Sequence, residues 1–296
     1  MNPADSVISD TFEQGFLRIP FERQVAHCDH YELAPLFRRR LPGHQPVLEA
    51  GCGSGRWVAW MVNQGWQATG IDWSEALCRR ARQSVPGGTF VAGDMRAMPF
   101  PDESFGSLLS LGAVEHDVEG PQAALKEYRR VLRPGGIAII TVPFVSPVRR
   151  VMRRVKELLR PCAYLVRAGL GLRPAVRIMG NLRAARRAAR PEWRPEFLRE
   201  GERWSFFQYN FTTRQMRSLL DAAGFEIVEQ FADFKDEGIL HNFGPLAGAY
   251  DFQDSRVRFS PVGRLIRRML PVRWVGYMLC CVVSKSAAKP GGGGAA

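Results

Sequence analysis

The sequence predicts an α/β fold, in which an open, mostly parallel β-sheet carries helices on both faces. Three observations lead to this class. Short apolar segments alternate with helical patterns from residue 46 to residue 142, the rhythm of a parallel sheet built with crossover helices. A glycine-rich segment directly follows the first apolar segment. The chain has 296 residues, 46% hydrophobic and 24% charged, so it can bury a sizeable core and is not a disordered protein.

The first half of the chain supplies five predicted strands and four predicted helices. The strands are short apolar runs at 46–50, 67–72, 89–92, 107–111 and 137–142. The helices are predicted at 29–40, 56–64, 75–84 and 122–132. Ser74 is a good N-cap for the third of them, and Pro-Gly turns follow the first and the last.

This rhythm stops at Pro143 and resumes at Thr212. Thr213 is expected to cap a helix that runs to Ala223, and Gly224 ends it. Two more strands are predicted, at 225–230 and 277–284. The last ten residues, 287–296, are rich in glycine and alanine and predict a flexible tail.

The net charge of +12 is concentrated in two segments. Residues 145–205 carry +11 and residues 255–296 carry +8, which leaves −7 for the remainder. Apolar side chains recur at helical spacing between the arginines from residue 148 to residue 162, and the pattern returns at 178–190 and 262–269. Such basic amphipathic helices fit an anionic membrane surface. They fit equally well a lid whose apolar stripe packs on its own domain.

Other classes are disfavoured by composition. Residues 145–190 contain a single aromatic residue, Tyr164, whereas single-strand nucleic-acid binders stack bases on aromatic rings, so a nucleic-acid partner is less favoured. The six cysteines form no CxxC pair and no cluster with histidine, which argues against a metal site and a disulfide scaffold. The first ten residues lack a signal-peptide pattern, and no apolar run reaches about 18 residues. We therefore expect a cytoplasmic protein.

A ligand site is predicted where the first strand ends, in Glu49-Ala-Gly-Cys-Gly-Ser-Gly55. Glycines allow the backbone to turn sharply and approach a ligand closely, and the next helix begins with free N–H groups. Asp72 ends the second strand, where doubly wound folds place an acid for ribose hydroxyls. Asp94 follows the third strand. Arg56 replaces the last glycine of a dinucleotide fingerprint, and no GxxxxGK[ST] motif is present, so pyrophosphate ligands are disfavoured.

Six segments of the chain are informative as a set: VLEAGCGSGRW, GIDWSE, VAGDMRAMPFPDESFG, LGAVEH, LRPGGIAIITVP and FTTRQMRSLLDAAGF. Together they resemble class I S-adenosylmethionine-dependent methyltransferases of the type 11 group, which includes ubiquinone/menaquinone C-methyltransferases. The resemblance covers roughly residues 45–142 and 205–231. It implies a Rossmann-like doubly wound seven-stranded sheet of order 3-2-1-4-5-7-6, with strand 7 antiparallel and a helical insertion after strand 5.

The resemblance also implies a domain organisation. We expect an N-terminal helical segment at 1–44 and a cofactor-binding core at 45–143. A basic amphipathic insertion or lid is expected at 144–211. The C-terminal part of the fold is expected at 212–286, and the tail follows it.

The resemblance implies S-adenosyl-L-methionine as the cofactor and assigns residues to it. The glycines are expected to pass beneath the methionine part, with Glu49 near its amino group. Asp72 is expected to bind the ribose hydroxyls, with Trp73 beside the adenine. Asp94 is expected to accept the adenine amine next to the backbone of Met95. The glycines meant here are Gly51, Gly53 and Gly55, and Leu111 is expected to line the cofactor cleft beside them. Tyr209 and His241 are expected on the acceptor side.

His116, just after the fourth strand, is the candidate general base. Each assignment has an alternative in which the residue has a purely structural role. His116 fits a role in ordering its loop or contacting the cofactor. Trp73 fits the core, and ordinary packing or solvent exposure also explains Tyr209 and His241.

The function that follows is methyl transfer to a small lipophilic or amphiphilic acceptor at the cytoplasmic face of the membrane. RNA or protein methylation is the first alternative, and a non-catalytic cofactor-binding regulatory module is the second. No (D/N/S)PP(Y/F/W) motif follows strand 4, which disfavours adenine N6 methylation. The one Pro-Cys pair, Pro161-Cys162, lies in the insertion, which argues against a cytosine C5 nucleophile.

Overall fold

The computed structural model describes residues 19–155, 190, 192–200, 203–251 and 256–286. The strands within this part are β1 (Val47–Ala50), β2 (Ala68–Asp72), β3 (Thr89–Ala92), β4 (Phe105–Leu111), β5 (Leu132–Pro143), β6 (Arg194–Glu200), β7 (Arg203–Asn210), β8 (Glu226–Asp233), β9 (Gly248–Asp251), β10 (Arg256–Phe259) and β11 (Met278–Ser284). The helices are α1 (Phe21–Cys28), α2 (Ala34–Arg40), α3 (Arg56–Asn63), α4 (Glu75–Ser84), α5 (Gln122–Val131), α6 (Thr213–Ala222), α7 (Lys235–Phe243), α8 (Pro261–Met269) and α9 (Val272–Val275). Residues 147–155 are also helical.

Seven strands form one central sheet in the order β3-β2-β1-β4-β5-β11-β8. β11 is antiparallel to both of its neighbours, and the pairs from β3 to β5 are parallel. Since β8 and β11 are the sixth and seventh strands of this sheet along the chain, the predicted order and the antiparallel last strand are confirmed.

Both faces of the sheet are buried, as the near-continuous apolar strands require. Successive side chains alternate between two core clusters: Leu108 joins one and Leu109 the other, and Cys281 and Cys280 divide in the same way. The first cluster also contains residues of α5, α6 and β7, and the second contains residues of α2, α3 and α4. The sheet therefore forms the middle of three layers.

The helix caps agree with the sequence at one position and differ by one residue at another. The Ser74 hydroxyl accepts the Leu77 N–H at 3.2 Å, as expected for the N-cap of α4. At α6 the cap is Thr212, and the prediction of Thr213 was wrong. Thr212 and Gln215 bond each other reciprocally, because the Thr212 hydroxyl accepts the Gln215 N–H while the Gln215 amide oxygen accepts the Thr212 N–H.

The prediction of a single helix over residues 29–40 was wrong. Two short helices, α1 and α2, are separated by a turn at 29–33. Asp29 lies in this turn and is held by a distant partner, since its carboxylate accepts the Trp60 indole N–H at 2.8 Å and also bonds Arg38. The rest of the predicted N-terminal segment, residues 1–18, lies outside the described residues.

The insertion after β5 is helical only in part. Residues 147–155 form the predicted helix. The continuation of its stripe to residue 162 and the second amphipathic stretch up to residue 189 lie outside the described residues, as does the tail at 287–296. The segment before α6 forms an antiparallel hairpin of β6 and β7 rather than a helix.

No helix in the described part of the chain has the length and apolar character needed to cross a bilayer.

Candidate functional site

The glycine loop begins where β1 ends at the carboxyl edge of the sheet. Gly51 donates its N–H to the Ile71 carbonyl at 2.8 Å, which ties the loop to β2. Gly51, Gly53 and Gly55 have φ angles of 78°, 52° and 80°, the left-handed region that suits glycine. A Cβ on Gly51 would also lie 2.6 Å from the Ala113 Cβ. The loop therefore has room only for backbone as it passes the end of β4.

Asp72 lies beside this loop at the end of β2, and its carboxylate is buried. One oxygen accepts the Gly53 N–H at 2.8 Å, and the other accepts the Ser74 N–H at 3.0 Å. The carboxylate thus connects the glycine loop to the start of α4.

Glu49 is buried on β1, and its Oε2 has no hydrogen-bond partner among the described residues. Burial raises the pKa of Glu49 to about 8, against the opposing effect of the positive charge of Arg56. A buried carboxyl group with an unused oxygen suits a cationic partner.

Arg56 is a site candidate that the sequence reasoning missed. Its guanidinium lies 4.9 Å from the ring centroid of Tyr31, in a cation–π contact at the start of α3. The sequence interpretation treated Arg56 only as the replacement of a glycine. A basic residue in the first turn of the helix after a glycine loop was the available signal, since the helix dipole already favours anions there.

The remaining residues predicted for the cofactor are Trp73, Asp94 and Met95 on the adenine side and Leu111 in the cleft. Trp73 is exposed rather than part of the core. The Asp94 carboxylate is bound by the Arg96 guanidinium at 2.7 Å, and this bond lowers the pKa of Asp94. The sulfur of Met95 accepts the Tyr128 hydroxyl at 3.1 Å. Leu111 is half-buried at the end of β4.

His116 follows β4 and faces the hairpin. Its Nδ1 lies 2.7 Å from the Phe207 carbonyl oxygen, so Nδ1 is the protonated nitrogen that donates. Burial lowers the pKa of His116 to about 4. A neutral imidazole that bonds β7 supports the loop-ordering alternative, and the general-base role stays a prediction.

Glu115 precedes His116 and is completely enclosed. Its Oε2 has no hydrogen-bond partner among the described residues, and burial raises the pKa of Glu115 to about 8. The sequence analysis did not select this residue. The missed signal was an acid directly after the apolar segment LGAV, which begins at the last residue of the fourth strand.

A second group of side chains gathers around Tyr277, at the start of β11. The His241 ring of α7 lies 5.2 Å from the Tyr277 ring, and the Arg149 guanidinium lies 5.6 Å from it. Arg149 is paired with Glu196 of the hairpin. Met278 is paired with Pro143 at the end of β5, so this group lies at the same carboxyl edge as the glycine loop.

The comparisons with known proteins agree with this geometry. Residues 48–140 match the family model of the type 11 methyltransferase domain. The match confirms the predicted resemblance to the type 11 methyltransferases. The match spans the glycine loop, Asp72, Asp94 and β4.

Curated relatives align with this domain and its surroundings. The chain is 40% identical over 92 residues to a malonyl-[acyl-carrier protein] O-methyltransferase of Erwinia pyrifoliae, covering 30% of this chain and 34% of that protein. It is 34% identical over 121 residues to a demethylmenaquinone methyltransferase of Chlorobaculum tepidum, covering 40% of this chain and 49% of that protein. The chain thus spans a third to a half of the length of these relatives.

A solved S-adenosylmethionine-dependent methyltransferase of Methanosarcina mazei shares the fold over more of the chain. The similarity has a TM-score of 0.55 at 17% identity and covers 86% of this chain and 98% of that one. The shared fold therefore extends beyond residue 140.

The cofactor that this domain implies is S-adenosylmethionine, and the residues present fit it. The unpaired buried oxygen of Glu49 suits the ammonium group of the methionine part. Arg56 supplies the opposite charge for the methionine carboxylate, and Asp72 has a carboxylate at the end of β2 for ribose hydroxyls. This edge of the sheet thus holds groups that complement the methionine part and the ribose of the molecule.

Tyr209 lies in the core beside the domain, and its contacts support the packing alternative. Its side chain is fully buried, and its hydroxyl donates to the Val118 carbonyl and accepts the Arg190 N–H, each at 2.7 Å. The Trp193 ring lies 5.0 Å away.

Tyr209→Phe is expected to lower the free energy of unfolding by about 1–3 kcal/mol, because it leaves the Val118 carbonyl without its donor. Urea unfolding measures this change. An unchanged unfolding free energy together with weaker acceptor binding would contradict the packing role and return the hydroxyl to the acceptor pocket.

Proposed function

We propose that the protein transfers a methyl group from S-adenosylmethionine to a small lipophilic or amphiphilic acceptor. The observation that carries the proposal is the meeting of three features at one edge of the sheet. They are the glycine loop, buried Asp72 and the buried carboxyl of Glu49, whose Oε2 has no partner among the described residues. Relatives named for menaquinone and acyl-carrier substrates support an acceptor of this class.

The proposed role of these residues is to bind and orient. When bound, S-adenosylmethionine supplies a methyl group already activated by its sulfonium. The chain must then align the acceptor and exclude water, which is chiefly proximity and orientation. The proposed cofactor residues are those predicted from the sequence, namely Glu49, Gly51, Gly53, Gly55, Asp72, Trp73, Asp94, Met95 and Leu111, with Arg56 added.

An acceptor that must lose a proton also needs a base. We propose Glu115 for this role beside the earlier candidate His116. The enclosed carboxyl of Glu115 has an unused oxygen, and its pKa of about 8 lies close to neutral pH, where a general base works best. Tyr277, His241 and Arg149 are proposed to form the acceptor side of the cleft.

The amphipathic helix at 147–155 supports work at a membrane surface. Val151 and Val155 are exposed on it, and Arg150 and Arg154 are exposed beside them. Apolar and basic side chains together suit an anionic interface. We therefore propose that the protein acts at the cytoplasmic face of the membrane.

Transfer of a labelled methyl group to fractions of the source cell tests the proposal. Label in the lipid extract is the expected result. Label in the RNA or protein fraction instead would support the first alternative. Cofactor binding without transfer to any fraction would support the regulatory-module alternative.

The affinity for S-adenosylmethionine is expected to rise with pH and to level off above about pH 8. In the protein without ligand, Glu49 has a pKa of about 8 and is largely protonated below that pH. The ligand ammonium favours the carboxylate, so its pKa falls on binding, and a proton must leave. The gain approaches tenfold per pH unit below the plateau.

Isothermal titration calorimetry between pH 6 and pH 9 measures this profile, with Glu49→Gln as the control. Titration of the ligand's own amino group is common to both proteins, so the difference between the two profiles belongs to Glu49. Parallel profiles would remove Glu49 from the ammonium site.

A further inference from the structure

The outer face of α8 carries large apolar side chains that no other element covers in the described structure. Val262, Leu265 and Met269 lie on this face, Leu246 lies on the turn before β9, and Trp274 lies on α9. These five side chains are between 43% and 69% exposed. Single exposed apolar residues are ordinary, whereas a group of this size on one unit indicates an interaction surface.

The inner face of α8 explains why the outer one is free. Ile266 and Leu270 pack against a small cluster that includes Ile239 and Val275. Since these inner contacts fix the helix on the protein, its opposite side does not need to fold back on the domain.

The charges beside this face have one sign. Arg264, Arg268 and Arg273 are exposed, and residues 255–296 contain no acid. Arg268 and Arg273 have no ion-pair partner among the described residues, whereas Arg267 is paired with Asp236 at 2.7 Å. Unpaired guanidinium groups around an apolar centre complement a surface that offers phosphates above hydrocarbon.

We propose that the outer face of α8, with Leu246 and Trp274, docks on an anionic lipid bilayer. The apolar side chains enter the headgroup region, and the arginines contact lipid phosphates. The indole of Trp274 suits the interface, where tryptophan is enriched. This proposal identifies the surface by which the protein would reach the membrane. It rests on the proposed function only for the reason why the protein docks there.

The position of α8 gives the docking a consequence for the acceptor side. Asp236, at the start of α7, pairs with Arg267 of α8. His241, near the end of α7, contacts the Tyr277 ring. The proposed membrane surface and the proposed acceptor side thus lie on the two sides of one helix, so an amphiphilic acceptor has a short path from the bilayer.

Flotation of the full chain with vesicles tests the charged part. The vesicles are phosphatidylcholine alone or an equal mixture with phosphatidylglycerol, at low and high salt. We expect binding only to the mixture and weakening by salt. R268Q/R273Q should reduce partitioning about 30-fold at low salt, since each arginine contributes about 1 kcal/mol at an anionic surface. R79Q/R80Q removes the same charge from exposed positions on α4 and should bind like the parent.

Two further variants test the apolar part. L265E/M269E should abolish flotation, and V228E, which changes an exposed apolar residue of β8, should leave it intact. Equal binding by all variants, or no binding of the parent to the mixed vesicles, would overturn the proposal. Calorimetry with S-adenosylmethionine distinguishes a failure of the docking surface from a failure of the proposed function. A parent that binds the cofactor but not the mixed vesicles overturns only the docking surface, and a parent that does not bind the cofactor overturns the proposed function.

Discussion

Asp72→Asn is expected to weaken S-adenosylmethionine binding at least about 100-fold, because a hydrogen bond to a charged group contributes about 1.5–3 kcal/mol and the ribose offers two hydroxyls. The carboxylate is already oriented by the Gly53 and Ser74 N–H groups, so little ordering is left to oppose binding. Calorimetry measures the loss. Asp221→Asn makes the same chemical change at an exposed site on α6 and should bind like the parent.

The two bonds of Asp72 to the backbone create an ambiguity, since the variant could weaken binding by displacing the glycine loop. A pair of ligands separates the two effects. The parent should bind 5′-methylthioadenosine more tightly than its 2′-deoxy analogue, and this preference should disappear in Asp72→Asn. If the preference survives in the variant, Asp72 acts on the loop and not on the ribose. Unchanged affinity for S-adenosylmethionine would overturn the site altogether.

The strands of the central sheet could be predicted because the patterns that define each strand lie within its own segment of the sequence. Strands buried on both faces need near-continuous apolar runs, such as Ile137–Val142, and the turns between them need glycine, proline or a cap such as Ser74. The order of the strands came from the resemblance, since spacing along the chain does not determine which strands pair. The structure confirmed this order, including the antiparallel β11 between β5 and β8.

The elements that were missed depend on distant contacts. The turn at Asp29 is held by the Trp60 indole, 31 residues away, and nothing in the local pattern separates α1 from α2. The hairpin of β6 and β7 mixes charged residues into both strands, and its register shifts between Glu196 and Phe197. That shift interrupts the alternation by which a strand is recognised.

The residues of the candidate site show the same difference between local sequence signals and distant contacts. Glycines and acids at strand ends, such as Gly51 and Asp72, are visible in the sequence because the fold places all parallel carboxyl ends at one edge. The importance of Glu115 is not visible, because burial, and not residue type, gives its carboxyl group an elevated pKa. The sequence drew attention instead to its neighbour His116, whose chemistry is familiar but whose Nδ1 is used by the Phe207 carbonyl.

Glu115→Gln is expected to lower the turnover rate by about 10²–10⁴-fold, the usual contribution of a positioned base, while the affinity for S-adenosylmethionine stays within a few-fold of the parent. Single-turnover rates with the methyl acceptor identified by labelling measure the first quantity, and calorimetry measures the second. Glu237→Gln is the matched control, because burial also raises the pKa of that half-buried carboxyl on α7. Urea unfolding of both variants separates a lost base from a weakened fold.

The pH dependence of the rate decides between the two candidate bases. A base acts in its deprotonated form, so a rate governed by Glu115 rises with pH and levels off above about 8. A rate governed by His116 would level off above about pH 4 and stay flat through neutrality, because burial lowers the pKa of that imidazole. In the parent we expect the rise toward pH 8, and in Glu115→Gln the residual rate should lose it. A parent rate that is flat from pH 6 to pH 9 would exclude Glu115 as the base and leave His116 as the candidate, held in place by the bond between its Nδ1 and the Phe207 carbonyl.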